Sequence, residues 1–510
     1  MFKDIVTKKE LKFKELEEEF FKLACNITNA MMKDVLEKYD TELMESRDKN
    51  RFRHKGKEKT CIKTKTGVIE YERVKYSEHK EDGTRECRYL LDEEIGITTA
   101  IGGHVSEGLI EIIIKNISNL SYRACSSMLE NSTGITLSSV GIWNIIQQLG
   151  IKISDYEKEK IETKKEEKLK EGEKITPVIF QEADGIMVVM QGKDREKRIK
   201  EYKRKNPEQE VPKKVRNGEL KLGMTYEGWV KESKNRYKLT GKEYISGFMS
   251  GDEMAELMKT NIYSKYNSSK IELNVTNSDG ASWIKKLVPE KGIYQADTYH
   301  LKEKINTHIK EKEDAEKVIK MYWNKEYLEM IDYVEELKYK YNGEYEEVIK
   351  LDELKKYLTK RKESMRRYND SEEMKKRLEK YSENTGLKYR NMGCQESNNY
   401  SNITRRFKKR RMSWSEKGAT NLAKVITTYA SESCKNIFEY LKIDVLAEGL
   451  KEYAERYISE IEKGIKEIKE YKKNVKTPRD KCAIKQGKVL KDIIIENIVG
   501  IKEITDLMYR

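Results

Sequence analysis

The sequence predicts an α/β protein. A mixed sheet with helices is interrupted by a large all-α insertion and preceded by a helical and β region with a helix-turn-helix. Three observations carry this expectation. Between residues 175 and 300 the element signals run β-β-β-α-β-α, the order of a mixed sheet with helices and not of a repeat array. Residues 301–390 are helical in pattern, highly charged and nearly free of glycine. Residues 1–150 join an amphipathic helix, a short β element and two further helices split by a glycine turn.

Each element has its own signal. Leu11, Leu16, Phe20, Leu23, Ala24 and Ile27 recur at helical spacing among Lys and Glu, so the chain to about residue 46 reads as helix. Residues 47–65 then hold nine basic and two acidic residues. They lead into residues 66–76, which alternate as a strand does; residues 79–84 supply a turn and 87–91 a second strand. Residues 120–129 read as a short helix, Thr133-Gly134-Ile135-Thr136 as a turn, and 138–146 as a second helix with Ser138 as its N-cap. Ala124 in the first helix, Gly134 in the turn, and Val140, Ile142 and Trp143 inward in the second make a helix-turn-helix pattern; the alternative is an ordinary helical hairpin. Residues 152–174 read as a Lys/Glu-rich solvated linker helix.

Pro177 opens a new domain. Residues 178–190 are a long apolar strand signal with acids in its middle, followed by a charged excursion from 193 to about 219. Residues 220–230 and 237–239 read as strands, as does 269–277, which ends at Ser278-Asp279-Gly280. Residues 281–287 read as a helix stopped by Pro289, and 292–297 as a short strand entering a helix at Tyr299-His300-Leu301. Residues 416–510 are mostly helical, with a break at Thr477-Pro478. The expected organisation is an N-terminal helix and β element (1–95), a helix-turn-helix region (96–150), a linker (151–174), a core (175–300 with 391–430), an α-helical insertion (301–390) and a C-terminal helical region (431–510).

Composition narrows the function. The chain has 510 residues, 38% of them charged, with 103 Lys and Arg against 89 Asp and Glu, a net charge of +14. No stretch approaches the roughly 20 apolar residues that span a bilayer, and the first residues lack the apolar core of a signal peptide. A membrane or secreted protein is therefore disfavoured, and a cytoplasmic, nucleoid-associated one expected. The 31 Tyr, 9 Phe and 5 Trp argue against full disorder. Seven cysteines without a CxxC pair suit reduced thiols and give no zinc ribbon. The positive excess is local: residues 47–65 carry a net +7, 193–205 a net +5 and 405–411 a net +6, leaving the rest of the chain slightly acidic. Such runs suit a polyanionic partner.

Four acids stand out by context. Asp184 lies inside an apolar strand, where a carboxylate is costly unless paired or holding a metal; alternatively, Asp184-Gly185 is a hairpin turn. Asp279 ends a strand where a helix begins, the end at which ligands bind in α/β sheets; alternatively it is a cap or turn residue. Asp297 sits at a similar junction, three residues before His300, and competes for the same role or is an N-cap. Glu396 lies in Gly393-Cys394-Gln395-Glu396-Ser397-Asn398-Asn399-Tyr400, just before the basic run Arg405-Arg406-Phe407-Lys408-Lys409-Arg410-Arg411 and Trp414. A lone Glu there suits a metal ligand near a phosphodiester; alternatively it lies on a helix surface. Two or three such carboxylates brought together can hold two divalent cations, Mg²⁺ or Mn²⁺, about 4 Å apart for in-line phosphoryl transfer. No GxxxxGK[ST], GxSxG or HExxH motif offers a rival chemistry.

Several motifs together carry a resemblance. They are Glu182-Ala183-Asp184-Gly185, Ser278-Asp279-Gly280-Ala281-Ser282-Trp283-Ile284, Gln295-Ala296-Asp297-Thr298-Tyr299-His300-Leu301, Gly393-Cys394-Gln395-Glu396, and the basic run with Met412-Ser413-Trp414-Ser415-Glu416-Lys417-Gly418-Ala419. The sequence resembles the DDE-type insertion-sequence transposases of the IS-Lre group, relatives of the Mutator-like enzymes, over most of its length. The resemblance implies a ribonuclease-H-like core split by the helical insertion. It carries the catalytic and metal-binding triad onto Asp184, Asp279 and Glu396. Related enzymes have a Cys-and-His motif after the second Asp; Asp297 and His300 stand there here, as an alternative ligand or a supporting pair.

The expected function is transposition. The N-terminal β element and helix-turn-helix, with Ser138 and Ser139 at the head of its second helix, would bind the double-stranded terminal inverted repeats. Arg405, Arg406, Lys408, Lys409, Arg410 and Arg411 would contact phosphates, and the core would cleave DNA and join it to a target. Two ends must be joined, so a homo-oligomeric synaptic complex is expected. The rivals are a non-catalytic DNA-binding protein (a decayed or domesticated transposase) and a metal-dependent nuclease without strand transfer.

Overall fold

The computed structural model describes residues 12–80, 83–95, 104–234, 236–341, 343–393, 403–408, 412–441 and 448–474. The chain divides into two compact units, Met1–Ile145 with Lys442–Arg510, and Ile146–Leu441.

In the first unit, helix α1 (Phe13–Ser46) packs on an antiparallel sheet of order β1-β2-β3, made of β1 (Phe52–Thr64), β2 (Gly67–His79) and β3 (Arg85–Arg88). Leu36 and Tyr39 of α1 meet Ile62, Ile69 and Tyr71 of the sheet in one buried cluster. Two α1 carboxylates also cover the edge of β2: Val74 N–H donates to buried Asp40 at 2.7 Å and Glu72 N–H to Glu37 at 2.8 Å. These bonds occupy two of the N–H groups through which a foreign strand would pair. The basic stretch 47–65 is therefore mostly strand β1. Its Lys-rich sequence shows no apolar alternation until Ile62, so only its pairing with β2 reveals it. Leu90 and Leu91, expected to end a strand, instead begin α2 (Leu90–Ile95), where Asp92 and Glu93 favour a first helical turn.

Helix α3 (Glu107–Ile117) is capped by Ser106, and α4 (Tyr122–Thr133) starts at the cap Ser121 and ends at Gly134, whose φ of +70° is open to glycine. Ser138 caps α5 (Ser139–Lys165) as expected, its Oγ accepting the Gly141 N–H at 3.0 Å. One expectation fails here and one holds in part. Ile142 is buried, but Val140 and Trp143 point outward, 64% and 43% exposed. The inward stripe is Ile142, Ile145, Ile146, Leu149 and Ile153, and its helical period leaves 140 and 143 on the opposite side. Residues 152–165 are helical as expected, as a continuation of α5, but not wholly solvated, since Glu157 forms a buried ion pair with Lys424.

The second unit is built on a five-stranded mixed sheet of order β8-β5-β4-β9-β10. β4 (Val178–Val189) pairs antiparallel with β5 (Asn217–Tyr226) and parallel with β9 (Leu273–Ser278); β5 pairs antiparallel with β8 (Glu243–Gly247), and β9 parallel with β10 (Ile293–Ala296). A small hairpin, β6 (Gly228–Lys231) and β7 (Tyr237–Thr240), follows β5. The charged excursion after β4 forms α6 (Gly192–Lys205), with no buried residue. β8 and α7 (Gly251–Lys265) were not anticipated, although Ser250 and Glu253 form a capping box that marks the start of α7. The helix expected at 281–287 is one 3-10 turn, Ile284–Leu287.

The insertion is all-helical as expected. α8 (Thr298–His308), α9 (Lys312–Trp323), α10 (Tyr327–Lys340) and α11 (Tyr345–Arg361) bury Leu301, Val318, Met330, Val334 and Leu354 in a core of their own, and α12 (Glu372–Thr385) follows. A three-residue turn α13 (Arg405–Phe407) leads to α14 (Glu416–Ala430), which packs on β8, and to α15 (Ile437–Tyr440). α16 (Glu448–Asn474) returns to the first unit, where Tyr457 donates to Asp34 of α1 at 2.9 Å.

Within the second unit α5 and α14 cross at Gly150. A β-carbon there would stand 2.4 Å from the Asn421 Cα and 2.6 Å from its carbonyl oxygen, both backbone. Gly150→Ala is therefore expected to force the helices apart and lower stability by about 1–3 kcal/mol, read as a lower urea midpoint. An unchanged midpoint would mean that the crossing is loosely packed.

Candidate functional site

The strand registers bring the expected acids into one row. Ala183 of β4 pairs with Ser278 of β9, and Ser278 with Ala296 of β10. Asp184 comes next within β4, and Asp279 and Asp297 come immediately after the carboxyl ends of β9 and β10. Neighbouring strands lie about 4.8 Å apart, so Asp279 is one strand from Asp184 and Asp297 is two. β4 runs without interruption through Asp184 and Gly185, which rules out the hairpin turn. A β-carbon at Gly185 would stand 2.2 Å from the Glu219 carboxylate, which would have to swing aside.

One row back along the same strands lie Glu182, Asn277 and Gln295, paired in register and buried. Residues two apart on a strand share a face, so this polar row underlies the carboxylate row. Glu182 is fully buried and accepts a hydrogen bond from Tyr226 Oη at 2.6 Å. The Asn277 amide donates to Asp297 at 2.9 Å and accepts from the Gln295 amide at 3.1 Å, and Gln295 in turn accepts the Tyr368 N–H at 3.1 Å. The Gly393 N–H approaches Glu182 at 3.5 Å, so the segment that leads to Glu396 arrives at this row. Glu396 itself lies outside the described residues, as do Lys409, Arg410 and Arg411.

The three aspartates differ in their commitments. Asp297 caps α8: its Oδ1 accepts the Tyr299 N–H at 2.7 Å and the His300 N–H at 3.3 Å, while Oδ2 takes the Asn277 amide. Burial pushes its carboxyl pKa up, but hydrogen bonds from His300 and Asn277, His300's charge and the Tyr299 N–H outweigh this and hold it below the usual value. His300 Nδ1 lies 3.6 Å from Asp297 Oδ1. Asp279 is half-buried and accepts the Ala281 N–H at 2.9 Å; Asp184 is half-buried and accepts the Gly185 N–H at 2.7 Å. Two half-buried carboxylates at neighbouring positions are the hard oxygen donors that Mg²⁺ or Mn²⁺ takes. Among the described residues no group of three or more His, Cys, Asp or Glu converges as a metal site.

The basic run is only partly displayed. Arg405 and Lys408 are exposed, but Arg406 is buried with its guanidinium 5.0 Å from the Trp414 ring. Trp414 is tied to the end of β4, its N–H donating to the Val189 carbonyl at 2.9 Å. Ser138 is exposed, with its Oγ engaged in capping.

Glu182, Asn277 and Gln295 were not singled out from the sequence. Their signal was present: each precedes a candidate aspartate by two residues, the period of a strand. Fold and site thus define a mixed α/β protein with one acid within the central strand β4 and two at the carboxyl ends of the parallel strands beside it. Residues 6–441 match the uncharacterised protein family UPF0236, and the chain belongs to it. No curated protein matches the chain. Among the described residues no helix is long and apolar enough to cross a membrane.

Proposed function

We propose that the protein is a DDE-type DNA transposase, similar to the IS-Lre group, with a ribonuclease-H-like core. The observation that carries the reading is the parallel register that pairs Ala183 with Ser278, the residues just before Asp184 and Asp279. The five-stranded mixed sheet, and the helical insertion between Asp279 and residue 396, support it too. In this reading Asp184, Asp279 and Glu396 hold Mg²⁺ or Mn²⁺, and the buried Glu182–Asn277–Gln295 row fixes the strands that present them. Two such ions, when bound, supply activation of the nucleophile and stabilisation of the leaving oxygen. A water or 3′-hydroxyl oxygen bonds to phosphorus as its proton is lost, and the P–O3′ bond breaks with the 3′-oxygen keeping the electron pair. Asp297 caps α8 and supports the row instead of supplying the second ligand. Duplex DNA at the terminal repeats is held by α4 and α5 as a helix-turn-helix and by the exposed Arg53, Lys55, Lys57 and Lys59 of β1. A homo-oligomeric synaptic complex pairs the two ends.

The test is direct. The full chain is incubated with labelled duplexes of the repeats that flank its gene, a target plasmid and Mg²⁺. Joined products are expected. Cleavage without joining identifies a nuclease, and retarded but uncut DNA a binding protein; either overturns the proposal.

A further inference from the structure

A cation from the helical insertion lies against the carboxylate row. Arg361, the last residue of α11, donates through Nη2 to the Asp279 carbonyl at 3.1 Å. Its Cζ lies 3.9 Å from the centroid of the Tyr357 ring, so the ring fixes the plane of the guanidinium. Gly280 makes room on the other side. Its φ is +94°, and a β-carbon there would stand 2.1 Å from Nη2 and 2.6 Å from Cζ.

What sets Arg361 apart is the missing anion. Arg73 pairs with Asp92, Arg88 with Glu78, and Arg367 with Asp370. Among the described residues no carboxylate pairs with Arg361; its Nε is closed to solvent against Gly280, as those of Arg73 and Arg198 are also closed, so an anion would have to meet the Nη groups. Arg361 is half-buried, with no carboxylate to take up its charge. A guanidinium also matches phosphate oxygens with paired N–H groups, which a lysine ammonium does not.

We infer that Arg361 is a phosphate-binding residue of the active centre, lent by the helical insertion to a non-bridging oxygen of the DNA phosphodiester held at Asp184 and Asp279. This rests on the proposed function. Arg361 makes and breaks no bond; it stabilises negative charge on the phosphoryl oxygens as the nucleophile arrives. It also gives the insertion a task in the site besides connecting Asp279 to the later core segment.

The test compares the full-length wild type with Arg361→Gln, Arg361→Lys and Gly280→Ala. Gln removes the charge but keeps a polar amide, and Gly280→Ala crowds the guanidinium while also straining the turn at φ +94°. Affinity for a terminal-repeat duplex is measured across salt concentrations, and Mg²⁺-dependent cleavage is measured in parallel. Arg361→Gln is expected to lower the salt slope by about 0.9, the share of one phosphate contact, and Arg361→Lys to keep it. Arg361→Gln should also lower the cleavage kcat by about 10²–10³-fold, with Gly280→Ala moving in the same direction. An unchanged salt slope for Arg361→Gln, even with cleavage lost, overturns the inference, because the residue then only steadies the Asp279 turn. If the slope falls while the wild type leaves DNA uncut, the strand-transfer reading fails and the phosphate contact stands.

Discussion

Asp184→Asn is expected to reduce strand cleavage and joining by about 10³-fold while leaving DNA affinity and thermal stability close to wild type. The substitution keeps the size of the side chain and the pairing of β4 with β5 and β9, in which Asp184 faces Leu222. It removes one full negative charge from the pair at Asp184 and Asp279. Losing a single group of a preorganised electrostatic site costs about 10²–10³-fold, and an anionic metal ligand belongs at the upper end. Repeat binding rests on the cations of the first unit and on Arg361, not on Asp184, so it should persist. The check is a cleavage time course with Mg²⁺ beside a gel-shift titration. Unimpaired cleavage by Asp184→Asn would remove the first member of the proposed triad.

The second large effect concerns stability. Lys424 of α14 is 5% exposed, and its ammonium pairs with Glu157 of α5. Burial pushes the Glu157 carboxyl up from its ordinary pKa, and the charge and hydrogen bond of Lys424 pull it back. Lys424→Met leaves that carboxylate buried without its partner, at a cost of about 3–5 kcal/mol. The double variant Glu157→Leu with Lys424→Met removes both charges together and should recover most of the loss, since apolar replacement of a buried pair is often neutral or better. Urea unfolding of the three proteins measures both quantities. If the double variant is as unstable as the single one, packing around the pair matters more than its charge.

The parts of this molecule legible in its sequence are those in which local chemistry and final position agree. β4 announces itself as an apolar run, and Gly134 and Ser138 mark a turn and a cap that the fold uses. Asp184, Asp279 and Asp297 stand out because each interrupts or ends a strand signal. What stayed hidden depends on pairing. β1 is Lys-rich and owes its strand to β2, and the outward turn of Val140 and Trp143 follows from which neighbours bury Ile142. The choice between Asp279 and Asp297 is of the same kind. Both stand at strand-to-helix junctions in the sequence, and only the sheet order puts one of them beside Asp184. Arg361 lies 82 residues from Asp279, and no local pattern links the two.

The central claim is that Asp184 and Asp279 form the metal-binding pair, with Asp297 as a supporting cap. The most direct measurement is Mg²⁺-dependent cleavage of terminal-repeat DNA by Asp279→Asn and Asp297→Asn, each with its Mg²⁺ titration. Asp279→Asn is expected to lose cleavage at every Mg²⁺ concentration, whereas Asp297→Asn retains measurable cleavage with a Mg²⁺ requirement close to wild type. Loss of cleavage in Asp297→Asn alone, with Asp279→Asn active, would contradict it and assign the second ligand to Asp297.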